Sequence, residues 1–340
     1  MKKLLTVPLL TFILQVNAQI VPTFEQVLSL RGVGGQVMSG DGKQIAFTIQ
    51  TTDWNENRFD TEIWMVREGN KPFQLTNTAK GSSTNPAFSP DGQWIAFLAD
   101  RGSKTQIYVM RAEGGEARMA TSEEESIGGF EWHPSGAKFI FLKPEKENKN
   151  KKEIEKRYGG FEADDREFTL SHLWQTDFNP ALADPSELPC YETVDSLKTK
   201  AGCIEFPKAT RLTEGKFTVT SFLPSPDGSK VAFSHQPDPL INTSVKSDIS
   251  IVDFASKKTT SLITNPSSDR LEEWSPDSKE ILYTTSLTDT TSNFYMNTKV
   301  FSVRLSDKSS RQVAKDFDEN PSGFSWKSSG IYFTDRRAHV

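Results

Sequence analysis

Pro86-Ala87-Phe88-Ser89-Pro90-Asp91-Gly92-Gln93-Trp94-Ile95-Ala96-Phe97 decides the reading of this chain, because it returns with small edits along the sequence. A near copy is Ser221-Phe222-Leu223-Pro224-Ser225-Pro226-Asp227-Gly228-Ser229-Lys230-Val231-Ala232-Phe233. Weaker copies are Val37-Met38-Ser39-Gly40-Asp41-Gly42-Lys43-Gln44-Ile45-Ala46-Phe47, Glu131-Trp132-His133-Pro134-Ser135-Gly136-Ala137-Lys138-Phe139-Ile140-Phe141 and Glu273-Trp274-Ser275-Pro276-Asp277-Ser278-Lys279-Glu280-Ile281-Leu282-Tyr283. Each reads as strand, tight turn, strand. Pro presets φ at the first corner, Asp bonds its own backbone, and Gly accepts the left-handed conformation. The runs after the turn are β-branched and aromatic, as packed strands prefer.

Taking Asp41, Asp91, Ser135, Asp227 and Asp277 as markers, the spacings are 50, 44, 92 and 50 residues. Units of roughly 40–50 residues with several short strands are what a β-propeller blade needs, and the doubled interval holds an insertion. A third run follows each unit: Glu62-Ile63-Trp64-Met65-Val66, Gln106-Ile107-Tyr108-Val109-Met110, Asp248-Ile249-Ser250-Ile251-Val252 and Lys299-Val300-Phe301-Ser302-Val303. A fourth closes most units: Gln74-Leu75-Thr76, Arg118-Met119-Ala120-Thr121, Arg211-Leu212-Thr213 and Leu262-Ile263-Thr264. The expected fold is therefore all-β, a propeller of four-stranded blades with about five and a half blades present. A sixth blade starts at Ser322-Gly323-Phe324-Ser325-Trp326 and runs to Gly330-Ile331-Tyr332-Phe333-Thr334. An unclosed ring leaves an exposed edge, so the chain is expected to be the N-terminal part of a longer protein.

Residues 1–18 read as a secretory signal: Lys2 and Lys3 precede the apolar stretch 4–16, which is too short to span a bilayer, and Val16-Asn17-Ala18 offers a cleavage site. Cleavage after Ala18 leaves Gln19 as the new terminus and predicts a periplasmic or secreted protein. Residues 19–34 form a lead-in with a short helix, in which Thr23 and Gln26 make a capping box and the glycines at 32, 34 and 35 end it. The propeller is assigned to residues 35–340, with insertions at 143–167 and 179–206 in blade three. Sixteen of the twenty-five residues of the first insertion are charged, which predicts a solvated hairpin or short helix. The second holds Pro180, Pro185 and Pro189, with Pro207 at its edge, and predicts irregular loop. It also holds the chain's two cysteines, Cys190 and Cys203. A bridge between them would contribute up to about 3 kcal/mol, but sequence does not report their separation and two free thiols remain the alternative.

A net charge of −5 and a pI near 5.6 give no reason to expect nucleic acid or an anionic membrane as partner. No Gly-x-Ser-x-Gly elbow of an α/β-hydrolase is present; Gly81-Ser82-Ser83 and Gly228-Ser229-Lys230 sit in turns. His133, His172, His235 and His339 occur singly, without metal-ligand spacing. Arg31-Gly32-Val33-Gly34-Gly35 is not a dinucleotide fingerprint, since its third glycine is misplaced. Asp164-Asp165 and Glu123-Glu124-Glu125 read as solvated acids, and Asn242-Thr243-Ser244 is a formal sequon. No catalytic, cofactor-binding or metal-ligating set emerges.

The Ser-Pro-Asp-Gly-x-x-Ile-Ala-Phe pattern at residues 89–97 and its near copy at 225–233 resemble the propeller repeats of the prolyl oligopeptidase family of serine peptidases (S9). The likeness is to the acylaminoacyl-peptidase and dipeptidyl-peptidase-like bacterial branch. The leading helix at 24–30 followed by 37–47 resembles that branch's entry into its first blade. Arg157-Tyr158-Gly159-Gly160 through His172-Leu173-Trp174 is similar to its charged third-blade insertion, and residues 331–337 to a later blade's opening. The resemblance implies a propeller capping a C-terminal α/β-hydrolase domain that carries Ser, Asp and His, and admitting short or unfolded peptides through its channel. That domain is absent from this chain, so no catalytic residue transfers, and the chain alone is expected to be inactive.

Two other readings compete. A non-catalytic periplasmic propeller of the Tol type would act as a protein-binding scaffold, but it carries a domain before its blades, and residues 19–34 are too few for one. A propeller enzyme of polysaccharide breakdown would need convergent His, acid or metal ligands on successive inner strands, and the sequence shows no such repetition. Fold alone does not decide among them.

Overall fold

The computed structural model describes residues 21–101, 104–146, 153, 156–159, 168–184, 186–187, 189–190, 203–286, 297–317 and 319–335. The expected leader, Asp164-Asp165 and His339 lie outside them. Five four-stranded antiparallel meanders and one two-stranded sheet follow in chain order among the described residues. Sheet one is β1 (Gly32–Met38), β2 (Gln44–Asp53), β3 (Arg58–Arg67) and β4 (Phe73–Gln74). Sheet two is β5 (Ser83–Phe88), β6 (Trp94–Ala99), β7 (Gln106–Arg111) and β8 (Arg118–Met119). Sheet three is β9 (Gly129–Trp132), β10 (Lys138–Pro144), β11 (Ser171–Asp177) and β12 (Thr210–Arg211). Sheet four is β13 (Thr218–Pro224), β14 (Lys230–Gln236), β15 (Asp248–Asp253) and β16 (Thr259–Ile263). Sheet five is β17 (Asp269–Trp274), β18 (Glu280–Thr285), β19 (Lys299–Arg304) and β20 (Ser310–Val313), and the sixth pairs β21 (Ser322–Lys327) with β22 (Gly330–Thr334). The first strands of successive sheets, β1, β5, β9, β13, β17 and β21, lie beside one another, as the inner strands of propeller blades do.

The core lies between blades. In β6 all six residues are buried. Ile95, Phe97 and Ala99 pack toward blade one with Ala46, Ile63 and Met65. Trp94, Ala96 and Leu98 pack toward blade three with Phe130, Trp132, Phe139 and Phe141. Period-two alternation thus sends successive side chains to opposite neighbours, which is why these strands read as continuous apolar runs. Similar clusters join blades three to four and four to five.

The recurring turn is held by a serine and an aspartate. Ser39, Ser225 and Ser275 donate from Oγ to Asp41, Asp227 and Asp277 at 2.6, 2.6 and 2.8 Å, and Ser89 does the same to Asp91. Each serine oxygen also accepts the N–H five residues on, from Gln44, Trp94, Lys230 or Glu280 at 2.8–3.0 Å. The hydroxyl and a following amide hold Asp41, Asp91 and Asp277 below the usual carboxylate range; at Asp227 burial opposes the same bonds, which prevail. Blade three inverts the polarity. There His133 Nδ1 accepts the hydroxyl of Ser135 at 2.8 Å, so the acceptor stands first and the donor third.

A second clasp repeats at the other end of the blades. Thr76, Thr121 and Thr213 accept the backbone N–H of Ile63, Ile107 and Leu173 at 2.9–3.0 Å. Their hydroxyls meet the preceding side chains Glu62, Gln106 and His172. Gln106 Oε1 accepts the N–H of Glu123 at 2.9 Å, tying the third strand to the linker that enters the next blade.

The structure departs from the sequence reading in two places and decides a third that the sequence left open. The lead helix α1 spans only Phe24–Leu28, with the expected Thr23/Gln26 capping box, and the glycine run after it is strand β1 rather than a terminator. Gly35 is tolerated there at φ +58 beside a shift in register. The first insertion begins after Pro144, since β10 continues through Pro144. Cys190 and Cys203 form a disulfide with Cα atoms 5.1 Å apart.

Thr121→Val leaves the buried N–H of Ile107 and the Gln106 amide short of a partner. We expect a loss of about 2 kcal/mol in urea unfolding, with Thr121→Ser retaining most of it. A valine variant as stable as the parent would show that the clasp contributes nothing.

Candidate functional site

Two glutamates stand on inner strands at the same register of their blades, each just before a tryptophan. Glu131 on β9 precedes Trp132, and Glu273 on β17 precedes Trp274. Trp132 and Trp274 turn into the inter-blade cores, and their Nε1–H groups bond the inner-strand carbonyls of Ala87 and Leu223 at 3.2 and 2.9 Å. Alternation therefore places the glutamates on the opposite faces of these strands, half-buried. Burial, with the charge of Glu273 adding to it, raises Glu131 to about 7. Burial also raises Glu273, opposed by the N–H of Trp274 at 3.1 Å and by Lys327 on β21. The two carboxylates and the lysine thus share one electrostatic environment on blades three, five and six. Such a set can exchange a proton near neutrality or hold an ammonium group. The sequence reading found no repeated acid on the inner strands; the Glu-Trp dipeptide at 131–132 and 273–274 was its available signal.

A groove of about 780 Å³ opens between blades two and three. Lys143 lies over the ring of Trp174, 3.7 Å from its centroid, and pairs with Glu123; both charged side chains are only 13% exposed. Glu124 pairs with Lys146, Glu125 with Lys104 at 3.5 Å, and Glu145 with Arg211 at 2.7 Å. Glu123 and Glu125 are therefore shielded within ion pairs, whereas Glu124 is solvated as expected, in a surface pair. Residues 205–209 form another wall, and Cys190 also lines the groove.

The histidines stay apart. His133 bonds the carbonyl of Gly228 through Nε2 at 2.9 Å and joins the turns of blades three and four. His172 is buried, with burial first and Arg211 second lowering it to about 4, so it is neutral and fills the threonine clasp. His235 meets Ser250 at 2.8 Å. Among the described residues no three His, Cys, Asp or Glu converge as metal ligands. Ser82 accepts the N–H of Thr61 on β3, and Ser229 donates to Asp227 within its turn.

Exposed large apolar side chains concentrate at one end of the blades. The Ser-Asp turns occupy one end of the sheets; the hairpins between second and third strands occupy the other. At the latter end α1 is tied to blade one by the hydroxyl of Thr52, which donates to the carbonyl of Leu28. Phe24 and Leu30 are 71% and 73% exposed there, with Val21, Val33, Trp54 and Phe59 nearby in the chain's path. Phe168, Ile241 and Val245 extend the same end to blades three and four. Met38 and Ile45 are exposed beside the first Ser-Asp turn, and Tyr332 on β22.

Residues 16–170 match the family model of the TolB β-propeller domain, PD40. Dipeptidyl-peptidase 5 of Porphyromonas gingivalis is 26% identical over 322 residues, 92% of this chain and 46% of its own length. The uncharacterized peptidase YuxL of Bacillus subtilis is 27% identical over 119 residues, 35% of this chain and 18% of its own. Among solved structures, acylaminoacyl peptidase from Pyrococcus horikoshii superposes with a TM-score of 0.61 at 13% identity, covering 91% of this chain and 43% of that one. That likeness concerns the propeller fold. The chain spans less than half the length of the curated relatives it matches.

Glu131 makes stability fall with pH. Its folded value near 7 lies above its ordinary value of 4.5, so its contribution is complete below 4.5 and is lost as pH rises to 7. Glu131→Gln should abolish that slope and leave the protein about 2–3 kcal/mol more stable than the parent above pH 7. Parallel pH profiles of the unfolding midpoint for the two proteins would count against the assignment.

Proposed function

We propose that this chain is the substrate-gating propeller of a serine peptidase acting on short peptides, with hydrolysis carried out by a domain outside these 340 residues. The observation that carries the reading is the one-sided apolar end formed by α1, Trp54 and Phe59. Large apolar groups gathered at one end of a propeller favour burial against another domain. The peptidase relatives, more than twice as long as the stretch they share with this chain, supply the kind of domain expected there. A peptide bound for a site beneath that end passes the inner strands, where Glu131, Glu273 and Lys327 would meet it. Folded proteins are too wide for such a passage, whereas an extended chain is not. The leader of residues 1–18 would direct export to the periplasm or beyond, giving a mature terminus at Gln19.

A second reading draws support from the TolB-type match over residues 16–170. On that view the same apolar end binds a partner protein and no hydrolysis occurs.

Labelling with a fluorophosphonate separates the two. The full-length protein should label on a single serine lying beyond residue 340 and cleave short peptides, while the 340-residue chain does neither. An unlabelled full-length protein would favour the scaffold, and peptide turnover by the chain alone would overturn both. Amino-terminal sequencing of the exported protein should begin at Gln19; a retained Met1 would remove the export proposal.

A further inference from the structure

The joint between blades four and five differs in charge from the joints before it. At each joint the residue ahead of the clasp side chain reaches the chain entering the next blade. Thr61 and Thr105 donate their N–H groups to Ser82 and Ser126, which puts Ser83 and Ile127 at the same place. The N–H of Ile127 returns to the carbonyl of Thr105 at 2.9 Å, and the N–H of Asp269 to that of Ser247 at 2.9 Å. Ser171 donates to Thr218 Oγ1 at 3.1 Å. Ser83, Ile127, Thr218 and Asp269 are thus equivalent, and all are buried. Of the four, only Asp269 is charged.

Asp248 takes the clasp position of blade four, where blades two and three carry the neutral Gln106 and His172, and it is half-buried. In blade one the acid at that position, Glu62, is answered by the hydroxyl of Thr76 and the N–H of Thr78. Blade four differs, because a second carboxylate stands beside the first. Asn265 joins the two acids: its backbone N–H donates to Asp248, and its Nδ2 donates to Asp269 Oδ1 at 3.1 Å. The hydroxyl of Thr285 also serves Asp269 and lies 2.9 Å from Ser267 Oγ. Asp269 Oδ2 is buried and meets no donor among the described residues. Burial raises both acids, the charge of Asp248 adds to the rise at Asp269, and no lysine or arginine among the described residues offsets it. His235, paired across the strands with Asp248, is engaged by Ser250 at 2.8 Å. A buried carboxylate left without a counter-charge is costly, so this joint needs a positive partner that the chain does not supply.

We propose that Asp248 and Asp269 hold a divalent cation of the calcium class between blades four and five. The two carboxylates and the hydroxyls of Ser267 and Thr285 form an all-oxygen set, and water completes the roughly six to eight ligands that calcium takes. Such a set suits calcium and not zinc, which prefers nitrogen and sulfur. The ion gives Asp269 Oδ2 its missing partner and joins blades four and five at the place where uncharged side chains suffice in the earlier blades.

Calorimetric titration of the chelator-treated 340-residue chain with calcium chloride tests the site. One calcium per chain should bind, and thermal unfolding should move upward with the same additions. Asp269→Asn and Asp248→Asn should each weaken binding by about tenfold or more. In chelator, Asp269→Asn should be at least as stable as the parent, since it removes an uncompensated charge, and only the parent should gain from calcium. A parent with neither binding heat nor a shift in unfolding overturns the proposal and leaves Asp269 with water or a proton alone. So does undiminished binding in both variants, which would place the ion elsewhere. A loss of stability in Asp269→Asn that is equal in calcium and in chelator also overturns it, since the carboxylate would then act only as a partner of Asn265.

Discussion

Blades two, three and four each have two apolar faces, and each face is covered by a neighbour. β6 shows the constraint plainly: its odd and even residues enter different clusters, so blade two is a wedge in two cores at once. A sheet with a single apolar face could pack once and stop. A sheet with two must continue as an array, with the inner strands of successive blades side by side.

Two polar devices keep the wedges in register. The serine–aspartate turn fixes the path between first and second strands, and its carboxylate stays ionised because a hydroxyl and an amide point at it. The threonine clasp fixes the opposite end by linking the third strand, the fourth strand and the linker onward. Blade three shows how much substitution such devices accept. A neutral histidine replaces Glu62 or Gln106 in the clasp, and His133 with Ser135 replaces the serine–aspartate pair with donor and acceptor exchanged. The chemistry of the contact is kept while the residues change.

The same blade carries both insertions, the cavity at its border with blade two and one of the two inner-strand glutamates. Blades that only pack need little beyond their four strands. The extra chain in blade three builds a walled groove with a buried ion pair over Trp174, at a cost in desolvation that packing alone does not require. The candidate functional features therefore concentrate on the least regular blade and on the end where α1 and its apolar neighbours lie.

The Pro-Asp-Gly turns, the continuous apolar runs and their spacing made the propeller legible from sequence, because turn chemistry and strand alternation are local properties. The threonines closing the fourth strands were visible, but their partners Glu62, Gln106 and His172 were not, since the two lie between 14 and 41 residues apart along the chain. Glu123 and Glu125 looked solvated because Lys143 and Lys104, which meet them, lie about 20 residues away along the chain. Glu131 and Glu273 looked like ordinary strand residues for the same reason. Pairing of Cys190 with Cys203 depended on where the excursion from blade three turned back. What each strand is follows from its own residues; which charges meet, which acid shifts and which wall is cross-linked follow from distances that only the packed array sets.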